Sequence, residues 1–241
     1  MNLIVEIGNT ALKAALAEGT TLGRTFRYQG ERMVEYVVSL ALREHPDILA
    51  VASSYELSPL EVKRLEGACR NIIIIDGLRG KISEKYGIPS FLSSDRAASL
   101  IAVRQMFSGK PVTVMDFGTT LTIDFMDADG RYAGGNVSPG CRTRFKALNR
   151  YAKALPMLGI PETHGIKGDS VQTSIESGVI NGIVFEIQGY IESFPENVFV
   201  FTGGDAIYFV KQMKKPIFVV CNLVLMGLAI ITEEYVKEHL Q

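Results

Sequence analysis

The chain has 241 residues, 47% of them apolar and 21% charged, with a net charge of -1. That length supports one large domain or two small ones around a sizeable core. The near-neutral charge balance excludes electrostatic capture of nucleic acid or of an acidic membrane surface, which leaves small molecules and other protein chains as partners.

The N-terminal "MNLIVEIGNT" lacks a basic region followed by an apolar one, so it reads as a strand and not as a signal peptide. "ALKAAL" and the stretch after "AEGTTLG" continue it as a β-meander. Periodicity predicts a helix over 31–45, with Met33, Val37, Leu40 and Leu42 on its apolar face, then a strand over 47–53. Ser58, Pro59 and Glu61 supply an N-cap, a first-turn proline and a capping-box acid, so a helix starts there. "NIIIID" (71–76) reads as a buried strand, and "RAASLIAVRQMF" as a helix entered through Asp95.

Glycine and proline in "MFSGKP" (106–111) then break the chain, and the pattern restarts. "VMDFGTTLTIDF" aligns with "VEIGNTALKAAL": Glu6 falls on Asp116, Gly8 on Gly118, Asn9 on Thr119 and Thr10 on Thr120, an offset of 116 − 6 = 110. A second meander follows. After it come helices near 140–155 and 169–194, a strand at 197–201, a helix after Gly204, a strand at 216–220 and a C-terminal helix that opens with "LVLMGLAII". That apolar run is too short to span a bilayer. In the 169–194 helix, Ile175, Val179, Ile183, Phe185 and Ile187 form a wide apolar face, suited to core burial or to dimerisation. The expected fold is a duplicated α/β architecture, with one domain over 1–110, a second over 111–241, and a nucleotide cleft between them.

Two acid-x-Gly-polar-Thr turns suit a nucleotide polyphosphate. Glycine lets the backbone come close, the threonine hydroxyls and exposed N–H groups donate to phosphate oxygens, and the carboxylates hold a hydrated Mg²⁺. An ordinary hairpin turn would account for one copy; the duplication favours the phosphate reading. "VFTGGDA" (200–206) adds a third glycine turn between a strand and a helix. Cys69, Cys141 and Cys221 are odd in number, far apart and without metal-ligand spacing, which predicts free thiols in a reducing, cytoplasmic compartment. His45, His164 and His239 have no metal-ligand spacing either and are assigned no function.

The three turns, in this order, resemble the ATP-binding pattern of the acetate and sugar kinases, actin and the Hsp70 ATPases, whose domains are ribonuclease H-like. Together with "YGIPSFLSSDRAASLIA" (86–102), "DFGTTLTID" (116–124) and "GGNVSPGCRTRFKAL" (134–148), the chain resembles the type III pantothenate kinases. That resemblance implies an ATP-dependent transfer to pantothenate giving 4′-phosphopantothenate, the first step towards coenzyme A. It makes Asp95 the base and puts Tyr86, Ser93, Ser94 and Arg96 at pantothenate-binding positions. Asp116 becomes the ligand of a monovalent cation, K⁺ or NH₄⁺. Glu6, Ile7, Gly8, Asn9, Thr10, Lys13, Gly118, Thr119, Gly203 and Gly204 fall at ATP positions, with Glu6 reaching Mg²⁺ through water. A homodimer that completes the substrate pocket is also implied.

The residues themselves leave blander roles open. Asp95 is equally a first-turn helix acid, and Arg96 a solvated cation or its partner. Lys13 is a phosphate ligand or an outward strand lysine. Asp124 alternates with Asp116 and faces either side of its sheet.

Three positions depart from the family pattern. Glu6 replaces an aspartate, Ser93 replaces a glycine, and Val171 stands where a threonine contributes to the neighbouring subunit's substrate site. These departures keep two alternatives in view: a nucleotide-binding accessory protein with weak or no turnover, and a kinase of another small hydroxylated substrate.

Overall fold

The computed structural model describes residues 1–76 and 85–239. The chain divides into two compact units, Met1–Ser108 with Asn222–Gln241, and Gly109–Cys221.

The first unit opens with a meander of β1 (Asn2–Ile7), β2 (Leu12–Glu18) and β3 (Thr21–Tyr28), followed by α1 (Met33–Glu44), β4 (Leu49–Ser53), α2 (Pro59–Glu66), β5 (Ile72–Ile75) and α3 (Ser94–Met106). Its sheet has the order β3-β2-β1-β4-β5. β1 pairs antiparallel with β2 and parallel with β4, so it lies in the middle and is buried along nearly its whole length. Residues of both strand faces, among them Ile4, Val5 and Ile7, are inaccessible, as expected of a central strand covered on both sides. The α2 start is as the sequence predicts: Ser58 and Glu61 cap each other, with Pro59 in the first turn. In α1 the buried face is Val34, Val37, Leu40 and Ala41; Leu42 points outward, 56% exposed. The Val34–Val37–Ala41 series satisfies the 3.6-residue period, whereas Leu42 sits two residues from Leu40, on a different side.

The second unit repeats this plan. It runs β6 (Val112–Phe117), β7 (Thr120–Met126), β8 (Tyr132–Pro139), α4 (Cys141–Tyr151), α5 (Val171–Ser193), β9 (Val198–Gly203), α6 (Ala206–Val210) and β10 (Phe218–Val219). Read from the meander side, its sheet order is β8-β7-β6-β9-β10, strand for strand the order of the first. The core packs α4 and α5 onto the sheet through Met115, Phe117, Ile123, Phe145, Ile183 and Phe201. Phe185 is not part of that core. It is 56% exposed and lies on the outer side of α5.

Two boundaries differ from the sequence-based expectation. Residues 222–239 form α7 (Leu223–His239), which groups with the first unit and not with 111–221. The reason is packing: α7 lies along α3 so closely that a Cβ on Gly227 would collide with the Ala98 carbonyl. The 216–220 strand is also shorter than its apolar run, forming only Phe218–Val219 against Val200 and Phe201.

The repeat is imperfect at its turns. Ile7 pairs with Leu12 and Phe117 with Leu121, so four residues separate the paired positions in the first copy and three in the second. The Gly8 N–H donates to Ala11 O and the Gly118 N–H to Thr120 O, both at 3.0 Å. The 110-residue offset therefore holds through the glycine and slips by one after it. Asp124, left open by alternation, is buried and paired across strands with Gly135. Met115 and Met126 fill the core.

Candidate active site

In the first unit, the C-terminal end of β1 presents Glu6 directly across from Lys13 of β2. Lys13 Nζ lies 3.8 Å from Glu6 Oε2, an ion pair too long to be a hydrogen bond. Lys13 is thus turned towards the acid and is not the outward, solvated strand lysine. Glu6 Oε2 is buried with no hydrogen-bond partner. Burial raises the Glu6 carboxyl above its ordinary value; Lys13 opposes the rise and the charge of Asp95 adds to it. Asn9 and Thr10 are exposed on the turn. The Ile7 side chain is wholly buried and its carbonyl accepts from the Ser54 N–H at 2.9 Å, so Ile7 offers a ligand no side-chain contact.

Asp95 is the second residue of α3. The helix start is fixed by Ser94, whose buried hydroxyl donates to Ser53 O at 2.7 Å and so ties α3 to the end of β4, the strand beside Glu6. Ser93 is the N-cap by backbone position, exposed, and makes no side-chain cap bond. Asp95 Oδ1, like Glu6 Oε2, is buried without a hydrogen-bond partner. Two orphaned carboxylate oxygens in one neighbourhood fit a cation, because buried acceptors without donors otherwise carry an uncompensated desolvation cost. Arg96 is half-buried beside them.

Tyr86 does not join this group. Its hydroxyl donates to Glu234 of α7 at 2.6 Å, and its carbonyl accepts from Arg104 Nη1 at 2.9 Å. Arg104 is nine residues beyond Asp95, roughly 13 Å along the helix axis. Partial burial and the Glu234 bond both push the Tyr86 phenol up. Burial tends to raise the Glu234 carboxyl, but hydrogen bonds from Tyr86 and Lys85 outweigh it and bring the group down. Tyr86, Arg104, Gln105 and Glu234 line a cavity of about 740 Å³.

In the second unit, the end of β6 carries Asp116, paired across strands with Thr122 and Thr202. Two glycines hold its surroundings close. Gly203, at φ +91°, would with any Cβ collide with Asp116 Oδ1 and come within 2.6 Å of the Phe117 nitrogen. Gly140 would collide with Gly118 O. The Gly140 N–H donates to Thr119 O at 3.0 Å and the Thr143 hydroxyl to the same oxygen at 2.6 Å, so the start of α4 is fastened to the Gly118–Thr119 turn. Below the turns, the Phe117 ring packs on Phe201 and Phe209 with centroids 4.8 and 5.2 Å away, a rigid support. Gly204 faces open space.

Two residues here escape sequence reasoning. Asp205 follows the glycine pair, and Arg142 lies two residues after Gly140; Arg142 Nε lies 4.0 Å from Asp205 Oδ1. Burial raises the Asp205 carboxyl, with Arg142 opposing. Cys141, between Gly140 and Arg142, is pushed up to about 12, by burial first, which makes it an inert thiol. Cys69, Cys141 and Cys221 are free thiols.

Val171 is the first residue of α5 and 59% exposed. The hydroxyls of Ser170 and Thr173 are engaged with each other at the helix start, 2.8 Å apart.

The sequence profile of the type III pantothenate kinases matches residues 2–193. A type III pantothenate kinase of Phocaeicola vulgatus is 37% identical over 233 residues, spanning 95% of this chain and 96% of the relative.

The chain belongs to the type III pantothenate kinase family.

Its activity is therefore the ATP-dependent phosphorylation of the pantothenate hydroxyl, in coenzyme A biosynthesis. Solved structures show the same fold at low identity. The activator of the 2-hydroxyisocaproyl-CoA dehydratase from Clostridium difficile, with bound ADPNP, superposes with a TM-score of 0.58 at 13% identity, covering 98% of this chain and 96% of that one. The ROK hexokinase of Thermus thermophilus does so with 0.54 at 12%, covering 98% and 99%. The fold is the duplicated ribonuclease H-like architecture of the actin-like ATPases and sugar kinases. Among the described residues, no helix is long and apolar enough to cross a membrane.

Proposed function

We propose that this kinase uses Asp95 as the base for the pantothenate primary hydroxyl. The observation that carries the reading is the Glu6–Asp95 neighbourhood, where two carboxylates each bury an oxygen without a partner. A base must be ionised and must have an open acceptor, and Asp95 Oδ1 has one. It orients the hydroxyl and accepts its proton as the γ-phosphoryl leaves ADP. Phosphoryl transfer asks the protein for positioning and charge stabilisation more than for covalent chemistry. Arg96, in the next position, is assigned to the pantothenate carboxylate, and Ser93 and Ser94 to the rim of the substrate site. Ser94 acts there through its Ser53 bond, which fixes the base.

In the first unit, the backbone of Gly8, Asn9 and Thr10, with Lys13, is assigned to ATP phosphates. In the second, Gly118 and Thr119 have that role, and Gly203 and Gly204 give the nucleotide a close backbone approach. Glu6 is assigned to hydrated Mg²⁺, which supplies charge neutralisation of the phosphates when bound; its orphaned oxygen suits a hard cation. Asp116 is assigned to a monovalent cation. A cytoplasmic location is supported by the free thiols.

A homodimer through α5 is supported by Val171, Ser174, Gly178 and Phe185, which recur at helical spacing on its exposed side. Tyr86 has a less direct claim as a pantothenate residue, since its hydroxyl is engaged by Glu234. The base assignment is tested with Asp95→Asn: turnover falls roughly 10²- to 10⁴-fold while ADP affinity stays near wild type. A variant with near-normal turnover removes Asp95 from the role.

A further inference from the structure

The first turn of α4 has charge of the wrong sign for a helix start. It contains Arg142 and Arg144 and no acid, at the end where unpaired N–H groups already make a positive pole. Arg144 is compensated. Its Nε donates to Pro139 O at 2.8 Å, one Nη donates to Ser138 Oγ at 3.2 Å, and it forms an ion pair with Glu186.

Arg142 is held differently. Its side chain is 71% exposed, and Asp205, at 4.0 Å from Nε, is beyond hydrogen-bond distance. Its place is nonetheless fixed by the backbone. Gly140 and Thr143, on either side of it in sequence, both bond Thr119 O, while Asp205 follows the Gly203–Gly204 turn and donates its N–H to Phe117 O at 3.2 Å. The guanidinium thus stands where the Thr119 turn and the Gly203–Gly204 turn of this unit approach each other, directed by a carboxylate that does not saturate it.

We infer that Arg142 is a nucleotide-binding residue, its guanidinium pairing with the polyphosphate oxygens of ATP at these two turns. The inference rests on the assignment of the turns to ATP. A planar five-donor fork suits two phosphate oxygens at once, and phosphate would add to the compensation that Asp205 gives the arginine and the helix end. Asp205 then serves to keep the side chain over the turns before ATP arrives.

The test is titration of the full chain with ADP and, separately, with adenosine, for wild type, Arg142→Ala and Arg142→Lys. Substitution at so exposed a residue should leave the thermal midpoint unchanged. The expected result is an ADP affinity lowered about tenfold or more in Arg142→Ala, partly restored in Arg142→Lys, with adenosine affinity unchanged in both. ADP affinity within twofold of wild type in Arg142→Ala overturns the inference. So does an equal loss for ADP and adenosine, which makes the residue structural. A wild type that binds neither ligand overturns the underlying ATP-site assignment as well, and is recognised by occurring before any substitution.

Discussion

Glu6 and Asp95 each bury one carboxylate oxygen without a hydrogen-bond partner, and the charge of Asp95 adds to the burial that raises the Glu6 carboxyl. Two like charges kept close out of water are destabilising in the free protein and useful once a cation or a reacting hydroxyl enters.

Glu6→Gln should therefore stabilise the protein free of nucleotide and divalent metal at neutral pH. Because the folded-state value is raised, the native state binds more protons than the unfolded state between the ordinary value of 4.5 and the raised one, and stability falls as pH rises through that window. The gain from Glu6→Gln is then full above the window and disappears as pH falls to about 4.5. A gain of about 1 kcal/mol would raise the midpoint by roughly 2–4 °C. Thermal melts from pH 8 to pH 4.5 read it; a variant less stable than wild type at pH 8 contradicts the expectation. Turnover should fall in the same variant.

Gly203→Ala should damage nucleotide binding and stability together. The residue has φ +91°, and its Cβ would strike the Asp116 carboxylate and the Phe117 backbone. Steric overpacking of this kind costs about 1–3 kcal/mol, and the left-handed backbone adds to it. ADP titration and urea unfolding check the two effects; unchanged affinity with lost stability would detach the turn from the nucleotide.

Gly227→Ala is a test of the fold alone. The added methyl meets the Ala98 carbonyl of α3, so α7 must separate from α3 at a cost of about 1–3 kcal/mol. The urea midpoint should fall accordingly. A midpoint equal to wild type would mean that the two helices do not lie in contact at this position.

The exposed side of α5 predicts a dimer. Phe185 is 56% exposed on a helix whose other large apolar residues are mostly buried. Light scattering should give twice the chain mass for wild type and the single-chain mass for Phe185→Lys. A monomeric wild type at micromolar concentration contradicts the proposal.

Local signals were legible and long-range ones were not. The Ser58–Pro59–Glu61 start of α2 is encoded within four residues and is found where it was expected. The meander and its repeat could be read because strand alternation and glycine turns are local, and the matching sheet orders follow from the duplication. The α7 partner was hidden because Gly227 and Ala98 are far apart in sequence, and an apolar helix does not announce which sheet it covers. Asp124 was undecidable because its strand face runs from exposed Thr120 through half-buried Thr122 to buried Asp124, so alternation carries no single inside or outside. Asp95 came from a motif; its Glu6 neighbour, 95 − 6 = 89 residues away, required the β1–β4 pairing and the Ser94–Ser53 bond. Tyr86 came from the family motif as well; its bonds to Glu234 and Arg104, 148 and 18 residues away, are long-range and could not be read from that motif.

The most direct test of the central claim is ADP release by the purified wild-type chain with ATP, Mg²⁺ and K⁺, measured with and without pantothenate. Release that depends on pantothenate, saturates with it and yields its phosphate ester is the predicted result. Release independent of pantothenate, or none with it present, would contradict a pantothenate kinase built on Asp95 and Glu6.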